Sequence, residues 1–305
     1  MPVHVIGASG RSGATLVRAL AAAGTPCVAV VRDMARWQAV APPDPPPSRL
    51  ADLADPAALT AALADAQRIV SCAHARFAPA ILAAAPTTAR IVLMGSTRRF
   101  TRWPDAHAQG VIAGETAFLA GRHAGVMLHP TMIYGATGED NVRRLAALMR
   151  RLPVLPLPGG GRALVQPIHQ DDVTRAILAA LDVAWTRPET LIAPGPAPVP
   201  YAAFVRAVAI AAGLPRPRIL PVPAPLVMAG AILARAVPGL PRIRVAEIRR
   251  LLENKDFDPA PLIARLGVTP VSLESGLARS FAATQDLRRG QLQKTGQHAD
   301  HQPDR

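Results

Sequence analysis

Gly7, Gly10 and Gly13 stand three residues apart, between an apolar run, Val3–Ile6, and an alanine-rich helical stretch that opens at Arg11. Glycines in that order allow a tight turn, an approach to an anion with no Cβ in the way, and close contact of the helix with the strand before it. The helix N-terminus adds free N–H groups and the positive end of its dipole. The chemistry is that of holding a pyrophosphate, with Ser9, Arg11 and Ser12 as further donors around the turn. The spacing G-x-x-G-x-x-G is one residue longer than the dinucleotide fingerprint G-x-G-x-x-G but occupies the same place between strand and helix. A second apolar run, Cys27–Val31, ends at Arg32, where an NAD-specific protein commonly offers a carboxylate to the adenosine ribose. A guanidinium there suits a 2′-phosphate, with Arg11 on the other side, so NADP(H) is expected in preference to NAD(H). Asp33 stands beside Arg32 and is also placed to reach the ribose.

The elements that must hold this turn follow from the pattern of the first half. Short β-branched runs at Val3–Ile6, Cys27–Val31, 68–72, Ile91–Met94 and Val126–His129 alternate with helical stretches. Such alternation predicts an α/β fold, a Rossmann-like doubly wound parallel sheet with helices on both faces. The proline-rich stretch 41–50 reads as a loop. From Asn141 the character changes: an amphipathic helix over "NVRRLAALMRRL", a loop over "PVLPLPGGGR", and helices over "YAAFVRAVAIAAGL" and "RVAEIRRLLEN" predict a smaller, mostly helical C-terminal lobe. The expected division is a nucleotide-binding core over 1–136, the rest of the core interleaved with the C-terminal lobe over 137–283, and a disordered polar tail over 284–305.

Taken together, "GASGRSG", "LADLADPAAL", "IVSCAH", "IVLMGS", "HPTMIYG", "LPLPGGGRALVQPIHQDDVTRAI" and "KDFDPAPLIARLGVTPVSLESGL" resemble the extended and atypical short-chain dehydrogenase/reductase family, which includes nucleotide-sugar epimerases and dehydratases. The region "GE…HPTMIYG…EDN…QPI" is most similar to the complex I accessory-subunit members. The resemblance implies that Asp52 and Leu53 border the adenine, Cys72, Ala73 and His74 the coenzyme ribose, and Pro130 to Ile133 the nicotinamide end. It also implies that Asn141 and Gln166 stand at substrate-facing positions.

The family's proton chemistry rests on Tyr-x-x-x-Lys, where an ammonium one helical turn away lowers the phenol pKa. That dyad is absent. Tyr134 and Tyr201 are followed four residues on by Gly138 and Val205, and no lysine precedes Lys255. Counting back from Glu115 places His107 at the tyrosine position and Val111 at the lysine position. His107 is the candidate acid or base, with Ser96 and Thr97 as candidates to hold a substrate oxygen. The alternative is a histidine with no task in chemistry. Asp172, in "HQDD", reads as a helix N-cap. The expected function is an NAD(P)(H)-binding oxidoreductase or epimerase-dehydratase-like protein acting on a small carbonyl or nucleotide-sugar substrate. The competing expectation is a non-catalytic NADPH-binding sensor or accessory protein.

Composition narrows the partners. Half of the 305 residues are hydrophobic, enough to bury a full core, and the net charge is +13. All but two of the basic residues are arginine, Lys255 and Lys294 being the exceptions, and aromatics make up only 4%. That combination reads as a solvated arginine surface and not as a nucleic-acid platform. Cys27 and Cys72 have neither metal nor disulfide spacing, so no metal site and a reducing, cytoplasmic setting are expected. The apolar stretch 226–240 carries Arg235 and Pro238 and is too short to span a bilayer, although its arginine flanks are compatible with peripheral membrane contact.

Overall fold

The computed structural model describes residues 1–135, 141–152, 154–233 and 245–282. Along the chain the strands are β1 (Val3–Ile6), β2 (Cys27–Val31), β3 (Ser48–Leu50), β4 (Arg68–Ser71), β5 (Arg90–Met94), β6 (Gly125–Pro130), β7 (Ile133–Tyr134), β8 (Val154–Pro158), β9 (Leu164–Val165), β10 (Ile168–His169), β11 (Pro188–Ala193), β12 (Val199–Pro200) and β13 (Arg218–Val222). The helices are α1 (Arg11–Ala22), α2 (Met34–Gln38), α3 (Pro56–Leu63), α4 (Ala78–Ala84), α5 (Ala106–Leu119), α6 (Asn141–Arg151), α7 (Gln170–Asp182), α8 (Tyr201–Ala211), α9 (Ala224–Leu233), α10 (Val245–Arg250) and α11 (Ala260–Leu266).

Among the described residues seven strands form one parallel sheet in the order β11-β6-β5-β4-β1-β2-β3, the Rossmann-like arrangement expected from strand-helix alternation. Period-two burial feeds both faces. Val3, Val5, Val70, Val92, Val126 and Leu128 pack toward α1, α7 and α11. Ile6, Ile69, Ile91, Leu93 and Met127 point the other way, against α3, α4 and α5. Each such side chain contributes about 1.5–3 kcal/mol when fully buried. A separate cluster holds the C-terminal lobe together, with Val142, Ala146 and Met149 of α6 packed on Phe204, Val205 and Val208 of α8.

The order of the sheet turns around at β1 and β4, and the carboxyl ends of those strands are where a doubly wound sheet binds its ligand. Local reading failed at the edges. The stretch 41–50, expected to be loop throughout, closes with β3 pairing in parallel with β2, and the expected loop "PVLPLPGGGR" contains β8, paired in parallel with β13. Both are short strands at the margin of their sheets, where proline is tolerated and no continuous apolar run is required. The apolar stretch beginning at Leu226 forms α9, and then passes out of the described residues at 234–244. The tail expected over 284–305 also lies outside the described residues. No helix among the described residues is long and apolar enough to cross a membrane.

Candidate functional site

The glycine turn is built from its own backbone. Gly7 takes a φ of 76°, its N–H donates to the Val30 carbonyl at 3.0 Å, and the Gly10 N–H returns to the Gly7 carbonyl at 2.9 Å. A Cβ at Gly13 would overlap that same carbonyl, so α1 packs on the turn at a distance only glycine permits. Gly10 is the extended residue that opens α1, and no side chain caps the helix there. The first turn of α1 therefore presents its N–H groups outward, which is how such a turn holds phosphate. Ser12 is tied down by a 2.8 Å hydrogen bond to Gln170 at the start of α7, Ser9 is half-buried, and Arg11 is exposed. These residues fit a dinucleotide's pyrophosphate.

The neighbouring strand ends gather the remaining coenzyme candidates around this turn. The Cys72 N–H donates to the Ile6 carbonyl at 2.9 Å, and a Cβ on Gly7 would come within 3.2 Å of the Ala73 nitrogen. The segment Cys72–His74 thus lies directly against the glycine turn. Burial pushes the Cys72 thiol up to about 12, which disfavours its thiolate at neutral pH. On the opposite side the Ala51 N–H donates to the Val31 carbonyl at 2.9 Å, which sets Asp52 and Leu53 alongside Arg32. Arg32 is exposed just past the end of β2, and Asp33 accepts the Arg36 N–H at 3.0 Å as the N-cap of α2. The exposed Asp52 carboxylate likewise bonds its own turn, accepting the Ala54 N–H at 2.9 Å.

The candidate catalytic residues lie at the ends of β5 and β6 and at the start of α5. Ser96 Oγ accepts the Arg98 N–H at 3.2 Å, capping the 3₁₀ turn Thr97–Phe100, and buried Thr97 donates to the Pro130 carbonyl at 3.2 Å. His107 sits in the first turn of α5, whose N-cap is Asp105. Val111, one turn further along, is buried in the core on the α5 side of the sheet. His107 meets His74 edge to face with ring centroids 4.1 Å apart. Burial first, then Arg98, His74 and Arg250, press its pKa down to about 4, with Asp105 opposing them. At neutral pH His107 is an uncharged imidazole.

Sequence reasoning missed the buried charges behind this edge. Glu115 Oε2 lies 2.5 Å from Arg99 Nε and 3.3 Å from His129 Nε2, while His129 Nδ1 lies 3.1 Å from the Ser96 nitrogen. Burial raises the Glu115 pKa against the effect of Arg99, and burial with Arg99 drives His129 down to about 4. In the sequence Glu115 served only as the reference for counting back to His107, and nothing local to it signals Arg99 or His129 as partners. Ile133 forms β7 beside Ile168, and Asn141 is exposed at the start of α6. Gln166 is buried, and its amide is saturated: Nε2 donates to the Gly195 and Phe257 carbonyls at 2.9 and 2.8 Å, and Oε1 accepts the Phe257 N–H at 2.8 Å. The reading of Asp172 as an N-cap needs correction. His169 caps α7 by accepting the Asp171 N–H, whereas fully buried Asp172 pairs with Arg175 and accepts the Val271 N–H at 2.9 Å. The signal misled because a carboxylate in the first turn of a helix can reach across the fold as easily as it can cap. Among the described residues no group of His, Cys, Asp and Glu is arranged to hold a metal ion.

Residues 7–112 match a family model described as NAD(P)H-binding, the span that contains the glycine turn and the ends of β1, β2, β4 and β5. The solved NADPH-dependent quinone oxidoreductase QOR2 of Escherichia coli, complexed with NADPH, superposes with a TM-score of 0.72 at 18% identity, over 92% of this chain and 99% of that one. The chain shares that structure's fold, a parallel sheet with helices on both faces. MoeE5 in complex with UDP-glucose and NAD shares this fold with a TM-score of 0.71 at 19% identity, over 94% and 99% of the two chains. So does the UDP-glucuronic acid 4-epimerase of Bacillus cereus, at 0.71 and 16%, over 94% and 100%. No curated protein matches the sequence. The solved structures thus share the architecture of most of the chain, and the NAD(P)H-binding match falls on the segment that carries the glycine turn.

Proposed function

We propose that the chain binds NADP(H) in preference to NAD(H) and works as an oxidoreductase or epimerase-dehydratase-like protein on a small carbonyl or nucleotide-sugar compound. The observation that carries the coenzyme choice is the pair at the end of β2. Arg32 is exposed toward solvent while the carboxylate of Asp33 is engaged as a helix cap, so the guanidinium is the group left to meet a 2′-phosphate. Gly7 to Gly13 hold the pyrophosphate, Asp52 and Leu53 flank the adenine, Cys72 to His74 flank the ribose, and Pro130 to Ile133 border the nicotinamide. A bound nicotinamide supplies or accepts hydride. His107, uncharged near neutrality, donates its ring N–H as a hydrogen bond to the substrate oxygen, the proton that completes a reduction coming from water, and Ser96 and Thr97 at the strand end beside it help to hold that oxygen. Asn141 faces the substrate from the start of α6. Gln166 acts at one remove, through the segment it anchors at Phe257.

The test is a calorimetric titration of NADPH against NADH, followed by coenzyme fluorescence in the presence of carbonyl and sugar-nucleotide compounds. Tighter NADPH binding and an oxidation that disappears in His107→Ala are the expected results. Equal binding of the two coenzymes would sink the preference. A second reading is favoured by the burial of Val111: with no cation one turn from His107, the chain binds NADPH and senses or supports without turnover. Tight binding with a silent panel decides for it.

A further inference from the structure

His74 and His107 come together from segments that share no local sequence signal, the loop after β4 and the first turn of α5. Their surroundings are cationic. Arg76 follows His74 in its loop, Arg98 projects from the 3₁₀ turn after β5, and Arg250 arrives from the end of α10 in the C-terminal lobe. Among the described residues one carboxylate, Asp105, acts on both rings, and it lies beside Arg98 and Arg250. Its Oδ1 accepts the Ala108 N–H at 2.9 Å, and its Oδ2 lies 3.1 Å from Arg250 and 3.9 Å from Arg98. Positive charge therefore exceeds negative charge around two half-buried rings. His74 Nδ1 accepts the Arg76 N–H at 3.0 Å, which places the proton of the neutral ring on Nε2, where it is a donor.

We infer that the corner formed by His74, His107, Arg98 and Arg250 binds an anionic group, a phosphate or a carboxylate, carried by the substrate. The inference rests on the coenzyme reading above only in assigning the anion to the substrate. Two neutral imidazoles offering N–H donors beside guanidiniums make a site whose charge is balanced when an anion arrives. Both rings record the imbalance: burial, then Arg76 and Arg98, lower the pKa of His74, and burial, then Arg98, His74 and Arg250, lower that of His107, with only Asp105 acting against them. An anion seated there offsets the local positive field and draws protons back onto the imidazoles. The corner joins the nucleotide-binding core to the C-terminal lobe through Arg250, which places the anion between the two and makes the substrate a bridge across them.

The experiment follows the histidine Cε1–Hε1 signals of the full chain by NMR between pH 3.5 and 8, with inorganic sulfate as the probe because it does not titrate over this range, and with chloride at matched ionic strength as reference. His74→Gln and His107→Gln assign the signals. Sulfate is expected to raise the His107 midpoint by about one unit or more. Arg98→Gln with Arg250→Gln should abolish the response, while Arg98→Lys, which keeps the charge, retains it. A midpoint that chloride moves as far as sulfate, or a response unchanged in the double variant, overturns the inference. A third arm repeats the titration with NADPH saturating, binding being verified by calorimetry. A persisting sulfate response assigns the anion to the substrate, and its loss shows that the corner holds a phosphate of the coenzyme, which overturns the assignment. Failure of NADPH to bind removes the proposed function and leaves the sulfate result in the free protein to stand by itself.

Discussion

At the scale of single residues, the chain separates groups that select a ligand from groups that hold the fold. Arg32 is proposed for the first kind: it is exposed, follows β2 directly, and sits beside an aspartate already engaged as a cap. Replacing it by aspartate should remove a charge-assisted contact of about 1.5–3 kcal/mol, so NADPH affinity falls about tenfold or more, read by calorimetry, while NADH affinity holds or rises. His129 belongs to the second. It is buried against Glu115 and Ser96, and its pKa lies at about 4 instead of the ordinary 6.5. Below 6.5 the unfolded chain binds a proton that the folded chain refuses, so stability is whole above that pH and drains as pH falls from about 6.5 to about 4. The loss from this residue is on the order of 3 kcal/mol, and urea unfolding at pH 7 and pH 4.5 measures it. The His129→Gln variant should show a smaller difference between the two pH values. An equal difference would mean that other groups govern the acid limb.

At the scale of elements, the glycine turn makes two substitutions behave differently. A Cβ at Gly13 overlaps the Gly7 carbonyl, whereas a Cβ at Gly10 meets the same oxygen at 3.1 Å and otherwise projects into open space, the place proposed for phosphate. Gly13→Ala should therefore cost about 1–3 kcal/mol in stability together with the coenzyme. Gly10→Ala should lose coenzyme affinity with little change in Tm, and a Gly10→Ala protein that binds NADPH normally would show that phosphate lies elsewhere. The strands that carry this turn were legible because both their faces are buried: β1, β2, β4, β5 and β6 are short β-branched runs, and nothing else produces that pattern so compactly. The edge strand β3 was not, since Ser48 and Leu50 are exposed and the run is preceded by prolines. The same holds for β8, whose burial alternates around Pro156 and whose pairing with β13 joins residues 64 apart at Val154 and Arg218. Pairing across such a separation leaves no trace in either strand alone.

At the scale of the whole molecule, the C-terminal lobe is tied to the core by a short polar strap. The buried carboxylate of Glu253 accepts the Thr101 hydroxyl at 2.8 Å, the Arg102 N–H at 2.6 Å and the Lys255 ammonium at 2.6 Å, and Asn254 accepts the Leu164 N–H at 3.0 Å. Removing one partner of a buried set leaves the others unpaired, so Glu253→Ala should destabilise the chain by about 3 kcal/mol or more, seen as a lower urea midpoint. If the midpoint holds, the strap is an accessory to contacts made elsewhere. A ligand that binds the folded form alone should act in the opposite direction: NADPH at a hundred times its Kd should add about 2.7 kcal/mol, and NADPH that leaves Tm untouched would contradict the coenzyme reading.

The sequence by itself determined the parallel sheet, the glycine turn with its helix, the arginine that closes the second strand and the absence of the tyrosine-lysine pair, because each is written in contiguous residues whose spacing has one local solution. Only the tertiary structure decided what surrounds His107. Its partners His74, Arg98 and Arg250 come from a strand end, a 3₁₀ turn and a helix of the other lobe, and the field they set up depends on distances that no stretch of chain encodes alone.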